Sequence, residues 1–194
     1  MNFNKHIGSL AEDWTKRIKL YHIKVAGCVN RYLADKKDSF IVDCGCGVGC
    51  IGKILLDSGY KNFFGFDISA KKINKCRMLG INAAVGSIDN IPFESSKADC
   101  VICSEVLEHL EENVYEKAID EIKRILKPSS YLIITFPTSG LTKWHIREIS
   151  LSEIKEKFSE YNPIEIRETY GRLYSREEGK SSIFILFEKK YLEK

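Results

Sequence analysis

The sequence predicts an α/β fold: one doubly wound domain with a mostly parallel seven-stranded sheet, helices on both faces, and a short N-terminal helical cap. Three observations lead there. Seven short apolar runs alternate with stretches of helical periodicity along the chain. The runs are too continuously apolar for strands with one wet face, so helices must cover both sides. No repeat or interdomain linker interrupts the 194 residues, a length that one core serves while burying about 70% of the unfolded surface.

The first element is expected to be a helix. Trp14, Ile18, Tyr21, Val25, Cys28 and Tyr32 recur at steps of four and three, an apolar stripe over about five turns. Residues 1–37 thus form a cap on a domain spanning 38–194. Phe40–Asp43 is a short apolar run that breaks into glycines, a strand followed by a turn. Val48–Ser58 is helical and closes on Gly59. Asn62–Asp67 is a second strand ending on an acid. Ser69 caps the helix Ala70–Leu79, which Gly80 ends.

Asn82–Gly86 and Ala98–Cys103 are the third and fourth strands. Glu112–Leu126 carries Val114, Ala118, Ile122 and Ile125 on one face and stops ahead of Pro128, which disfavours helix in Lys127. Tyr131–Phe136 is the fifth strand. Ser150 and Glu153 stand in capping-box register for a further helix. Pro163–Tyr170 and Ser182–Glu188 complete the sheet. Ligands bind such sheets outside the carboxyl ends of the strands. Asp43, Asp67, the 86–89 turn, Ser104-Glu105 and Pro137-Thr138 all fall there, so five loops face one mouth.

Composition narrows the setting. The chain is 44% hydrophobic and 29% charged, with no run of about 18 apolar residues and no apolar signal core at its start. A cytoplasmic protein without a membrane span is expected. Eight Lys/Arg against three Asp/Glu give residues 1–37 a charge of +5, while no basic block exceeds two residues, so nucleic acid is not the favoured partner. The seven cysteines suggest small buried hydrophobes rather than disulfides. Cys100 and Cys103 occupy opposite faces of one strand and cannot share a metal, so no metal site is expected.

The loop Asp43-Cys44-Gly45-Cys46-Gly47-Val48-Gly49-Cys50-Ile51-Gly52 contains a literal G-x-G-x-x-G, with Asp67 lying 20 residues beyond Gly47. That pattern suits a dinucleotide. However, Asp43 ends the strand where a phosphate would come near. An ionised carboxylate there repels phosphate and welcomes an ammonium or sulfonium group. S-adenosylmethionine carries both and has no phosphate.

Phe40-Ile41-Val42-Asp43-Cys44-Gly45-Cys46-Gly47-Val48-Gly49 resembles motif I of class I S-adenosylmethionine-dependent methyltransferases. The likeness continues through Gly65–Ser69, Asp89–Phe93, Ala98–Leu110 and Leu126–Thr135. His145–Ser150 resembles a segment of the small-molecule branch, including the ubiquinone/menaquinone-biosynthesis type. The resemblance covers about residues 38–158 in order, and it implies a Rossmann-like fold and S-adenosylmethionine as cofactor.

The resemblance also implies roles for single positions. Gly45, Cys46 and Gly47, within the loop from Asp43 to Gly49, contact the methionine part of the cofactor. Asp67 accepts from the ribose hydroxyls, and Ile68 packs on the adenine. Ser87 and Ile88 meet the adenine edge. Many relatives have Gly-Asp where this chain has Gly86-Ser87, so Ser87, Asp89 or a water serves the adenine amine. Cys103, Ser104 and Glu105 line the cofactor near its methyl group.

The acceptor half is less legible. A general base is needed only if the acceptor must lose a proton; His109 and His145 are the candidates. Trp14, Tyr21, Trp144, His145 and Arg147 are candidate acceptor contacts. No Asn-Pro-Pro-Tyr-like motif follows the fourth strand, where Ser104-Glu105-Val106-Leu107 stands. A small-molecule acceptor is expected first. The alternatives are RNA or protein as acceptor, or a cofactor-binding module without catalysis.

Overall fold

A computed structural model describes residues 18, 20–138, 145–170 and 181–190. In chain order they form α1 (Leu20–Tyr32), β1 (Ile41–Cys44), α2 (Cys50–Asp57), β2 (Phe63–Asp67), α3 (Ala70–Met78), β3 (Ala83–Val85) and β4 (Ala98–Ser104). A 3-10 turn (Leu107–His109) follows, then α4 (Glu112–Ile125), β5 (Leu126–Pro137), α5 (Leu151–Lys157), β6 (Tyr161–Tyr170) and β7 (Ser181–Lys189). All seven predicted strands join one sheet in the order β3-β2-β1-β4-β5-β7-β6. β1 to β5 pair in parallel, and β7 inserts antiparallel between β5 and β6.

Strand alternation divides the core into two layers. Val42, Cys44, Val101, Cys103, Leu132 and Ile134 point to one face, where Tyr115, Ala118, Ile119 and Ile122 of α4 and Ile154 of α5 cover them. Ile41, Cys100, Ile102 and Ile133 point to the other, under Val25 and Val29 of α1, Ile51 and Leu55 of α2, and Ile73 of α3. Each fully buried Val, Leu or Ile among them contributes about 1.5–3 kcal/mol. All seven cysteines are buried free thiols, with Cys100 and Cys103 in opposite layers. The sheet order reverses between β1 and β4, which opens a crevice at their carboxyl ends.

A glycine in the first turn of α2 sets the depth of that helix. A Cβ on Gly52 would lie 2.5 Å from Cε1 of Phe63, so the helix sits closer to β2 than a side chain permits. In α1, Val25 and Cys28 of the predicted stripe are buried and Tyr21 and Tyr32 are half-buried; Trp14 lies outside the described residues.

Most boundaries shift by one or two residues, and one shifts further. β5 begins at Leu126, directly after α4, and Pro128 lies inside it. Leu126 pairs with Ala98 and Tyr131 with Cys100, so residues 127–130 bulge out of the ladder. A proline is tolerated there because no partner needs its missing N–H.

Candidate functional site

A cavity of about 490 Å³ opens at the carboxyl ends of β1 and β4. It is lined by Tyr21, His22, Asp43, Gly45, Cys46, Gly47, Val48, Cys50, Ile51, Lys72, Ser104 and Glu105. Six of the predicted cofactor residues are among these, together with Tyr21 from α1. The volume lies within the range of small-molecule pockets.

The loop after β1 is fixed by its backbone. The N–H groups of Gly45 and Cys46 both donate to the Phe66 carbonyl, at 2.8 and 2.9 Å. Gly45 has φ +75°, and a Cβ there would meet Cγ2 of Val106 at 2.5 Å. Gly47 has φ +58°, and no atom lies within 4 Å of where its Cβ would stand. Glycine alone takes these conformations without strain, and at Gly47 it leaves bare backbone facing open space. Gly49 instead caps α2 and packs against Ile81 and Cys76.

Two carboxylates flank this loop. Asp43 is 1% exposed, lines the cavity, and its Oδ2 has no hydrogen-bond partner. Burial, and then the nearby Asp67, push its pKa up to about 7. From the sequence alone Asp43 is expected to be ionised. In this buried setting it is ionised throughout only when a cation stands beside it.

Asp67, at the end of β2, is buried and engaged by three donors. Its Oδ2 accepts from the Gly47 N–H at 3.1 Å and from Lys72 Nζ at 3.2 Å, and its Oδ1 accepts from the Ser69 N–H at 2.9 Å. Lys72 was missed by sequence reading. It stands in the first turn of α3, and only the fold shows that this turn reaches back to the cavity.

Beyond β2 and β3, Ile68 is 77% exposed, an apolar side chain open to whatever lies on the loop. The Ser87 hydroxyl donates to the Asp89 carboxylate. Ile88 packs its side chain in the core. The loop beyond is pinned from α4. Glu121 accepts from the Ile91 N–H at 2.6 Å, and Arg124 donates to the carbonyls of Phe93 and Ile91 at 2.7 and 3.0 Å.

After β4, the Cys103 side chain is fully buried in the layer under α4, because strand alternation turns it from the cavity to which Ser104 and Glu105 contribute. Glu105 has φ +57°, an uncommon conformation for a residue with a side chain. Its N–H donates to the Thr135 carbonyl at 2.9 Å and its Oε1 accepts from the Thr135 hydroxyl at 2.9 Å. The Tyr21 phenol is held above its ordinary range, first by burial and then by the charge of Glu105.

His109 and His145 are brought together, with ring centroids 5.0 Å apart. Oε1 of Glu108 lies 3.8 Å from Nε2 of His109. Sequence reading passed over Glu108, since an acid inside a 3-10 turn carries no signature of its own. Arg147 does not line the cavity. It stacks at 3.6 Å on the Tyr115 ring and pairs with Glu112 and Glu153 at 3.2 and 3.0 Å, which holds the 145–150 segment against α4. Trp144, like Trp14, lies outside the described residues.

Residues 42–134 match the family model described as a methyltransferase domain. The chain is 38% identical over 113 residues to a tRNA (carboxymethyluridine(34)-5-O)-methyltransferase of Arabidopsis thaliana, covering 55% of this chain and 27% of that protein. It is 36% identical over 100 residues to an uncharacterised protein of Methanocaldococcus jannaschii, covering 52% of this chain and 41% of that protein. The chain therefore spans well under half the length of these two relatives.

Among solved structures, it superposes with a TM-score of 0.73 at 14% identity on a Burkholderia thailandensis 1,6-didemethyltoxoflavin-N1-methyltransferase with bound S-adenosylhomocysteine, covering 97% of this chain and 87% of that one. The fold is that of these solved S-adenosylmethionine-dependent methyltransferases, and residues 42–134 are the part that matches the methyltransferase-domain model. Among the described residues no helix is long and apolar enough to cross a membrane.

Proposed function

We propose that this chain is a methyltransferase that uses S-adenosylmethionine, with residues 38–194 as the catalytic domain and residues 1–37 as a cap. The observation that carries this reading is the buried Asp43 carboxylate, whose unpartnered Oδ2 lies beside a cavity floored by glycine backbone. A buried acceptor without a donor is costly. The ammonium and sulfonium groups of this cofactor are the partners such a site lacks, and a pyrophosphate is the one it repels. Gly45, Cys46 and Gly47 would hold the methionine part by backbone, Asp67 the ribose hydroxyls, Ile68 one adenine face, and Ser87 with Asp89 the adenine edge. The bound cofactor supplies a methyl carbon already activated by positive sulfur. The protein would align that carbon with the acceptor, and Tyr21 and Ile51, which line the cavity, would help to keep water from it.

A small-molecule acceptor fits the mouth best. Asp43 and Glu105 are the two carboxylates that line it, against the single lysine Lys72, a lining that offers little to a polyanion. The seven reduced, buried thiols fit action in the cytoplasm. A second reading, RNA as acceptor, is favoured by the likeness to the plant tRNA methyltransferase.

Calorimetry with S-adenosylmethionine, its demethylated product and NAD tests the cofactor. Micromolar-order binding of the first two and none of NAD is expected; tighter NAD binding overturns the reading. Transfer of radiolabelled methyl groups to small-molecule extracts or to bulk tRNA distinguishes the acceptors.

A further inference from the structure

The cofactor reading leaves one buried acid without work. Glu108 is 1% exposed, and neither of its carboxylate oxygens has a hydrogen-bond partner. An isolated buried carboxylate is among the costliest groups a fold can hold, and it is retained where a cation or a proton neutralises it. Two imidazoles stand beside it. A carboxylate oxygen of Glu108 and one nitrogen each of His109 and His145 lie within 4.8 Å of one another. Ligands sharing one ion at bonds of about 2.0–2.2 Å sit roughly 3–3.5 Å apart, so side-chain rotations of about 1 Å would close the set.

The surroundings are built to keep these groups together. The Glu108 carbonyl accepts from the N–H groups of Ile146 and Arg147, at 3.0 and 3.4 Å. This stitches the residue after His145 to the turn that carries His109. The Arg147 guanidinium then locks that segment by stacking on Tyr115 and pairing with Glu112 and Glu153. Such supporting contacts fix the orientation of metal ligands in proteins generally.

We propose that Glu108, His109 and His145 form a divalent-cation site beside the cofactor cavity. Two imidazole nitrogens and one carboxylate suit a borderline ion such as Zn²⁺, Co²⁺, Mn²⁺ or Fe²⁺, and not Ca²⁺, which takes oxygen ligands. Three protein ligands on one side leave coordination positions open. Resting on the methyltransferase reading, those positions would hold and orient an oxygen atom of the acceptor next to Glu105, which lines the cavity.

The test is titration of the metal-stripped full chain with Co²⁺ alone, followed by its visible absorption, with S-adenosylmethionine affinity measured in parallel. Wild type is expected to bind one Co²⁺ per chain, with Zn²⁺ competing. Glu108→Gln, His109→Asn and His145→Asn are each expected to weaken it at least about tenfold. Glu108→Gln removes the uncompensated charge and should melt no lower than wild type without metal. His109 is exposed, so its variant folds regardless. The proposal is overturned if wild type shows no saturable binding, or if binding stays within twofold in the three variants. It is equally overturned if Glu108 titrates as a simple acid unaffected by Co²⁺, since a proton then neutralises it. Wild type that binds S-adenosylmethionine but no Co²⁺ would sink the metal site and leave the methyltransferase reading standing; wild type that binds Co²⁺ but no S-adenosylmethionine would do the reverse.

Discussion

The Asp67 carboxylate accepts a hydrogen bond from the Gly47 N–H at 3.1 Å, and so ties the end of β2 to the glycine loop that follows β1. The same carboxylate accepts from the Ser69 N–H and from Lys72. The acid assigned to the ribose is thus also the clamp that shapes the cofactor loop.

Asp67→Ala is therefore expected to act twice. Cofactor affinity should fall by about 2–4 kcal/mol through loss of a charged acceptor. Stability should fall too, by about 1–3 kcal/mol, because two backbone N–H groups in a largely buried setting lose their partner. From the sequence alone little folding loss is expected, since the acid merely ends a strand. Calorimetry and urea unfolding check the two effects. Affinity within twofold of wild type would remove the ribose assignment.

Asp43 gives a pH dependence of definite sign. Its folded pKa of about 7 lies above its ordinary value of 3.8. The group thus contributes stability that is fully present below about pH 4 and is lost as pH rises through 7. Without cofactor, Asp43→Asn should melt higher than wild type at pH 8, by about 2–4 °C per kcal/mol recovered. With cofactor the order reverses, because the ionised acid faces a cation. Wild-type affinity should rise up to about tenfold between pH 6 and 8, and the variant's should not. Calorimetry at the two pH values decides, and an equal rise in both proteins would exclude Asp43 as the group responsible.

How far the sequence carries can be judged at single residues. The seven strands were legible because each is a short apolar run bounded by glycine, proline or an acid, and Ser69 and Ser150 were legible as caps because their spacing is local. Ser150 accepts from the Glu153 N–H at 3.1 Å, as the capping register requires. The Glu153 side chain turns instead to Arg147. That choice belongs to tertiary packing, and so does the placing of Arg147 on Tyr115 and away from the cavity. Lys72 and Glu108 were invisible for the same reason: each matters through neighbours distant in sequence or hidden by burial, and no periodicity reports that.

The bond between Ser87 and Asp89 refines the adenine side. The serine hydroxyl spends its proton on the aspartate, so lone pairs on both side chains remain as acceptors. Asp89→Ala should weaken the cofactor by about 1–1.5 kcal/mol, and Ser87→Ala by less. Adenine analogues lacking the exocyclic amine should bind wild type and Asp89→Ala equally. If the analogue still distinguishes the two proteins, Asp89 acts on the loop and not on the amine.

The acceptor can be tested through charge without knowing its identity. The described mouth carries two carboxylates, Asp43 and Glu105, and one lysine, Lys72, and so offers no basic surface to a phosphate backbone. An RNA acceptor would need to be held elsewhere, and residues 1–37, with their charge of +5, are one basic stretch of the sequence that could hold it. Neutralising Lys16, Arg17, Lys19 and Lys24 should then weaken RNA binding and flatten its salt dependence, since each lost phosphate contact lowers the slope by about 0.7–0.9. For a small acceptor the same four changes should leave kcat/KM within a few-fold, as neutral acceptors feel no long-range field. We expect wild type to show no saturable tRNA binding at physiological salt. Binding that is present there and vanishes in the quadruple variant would make RNA the acceptor.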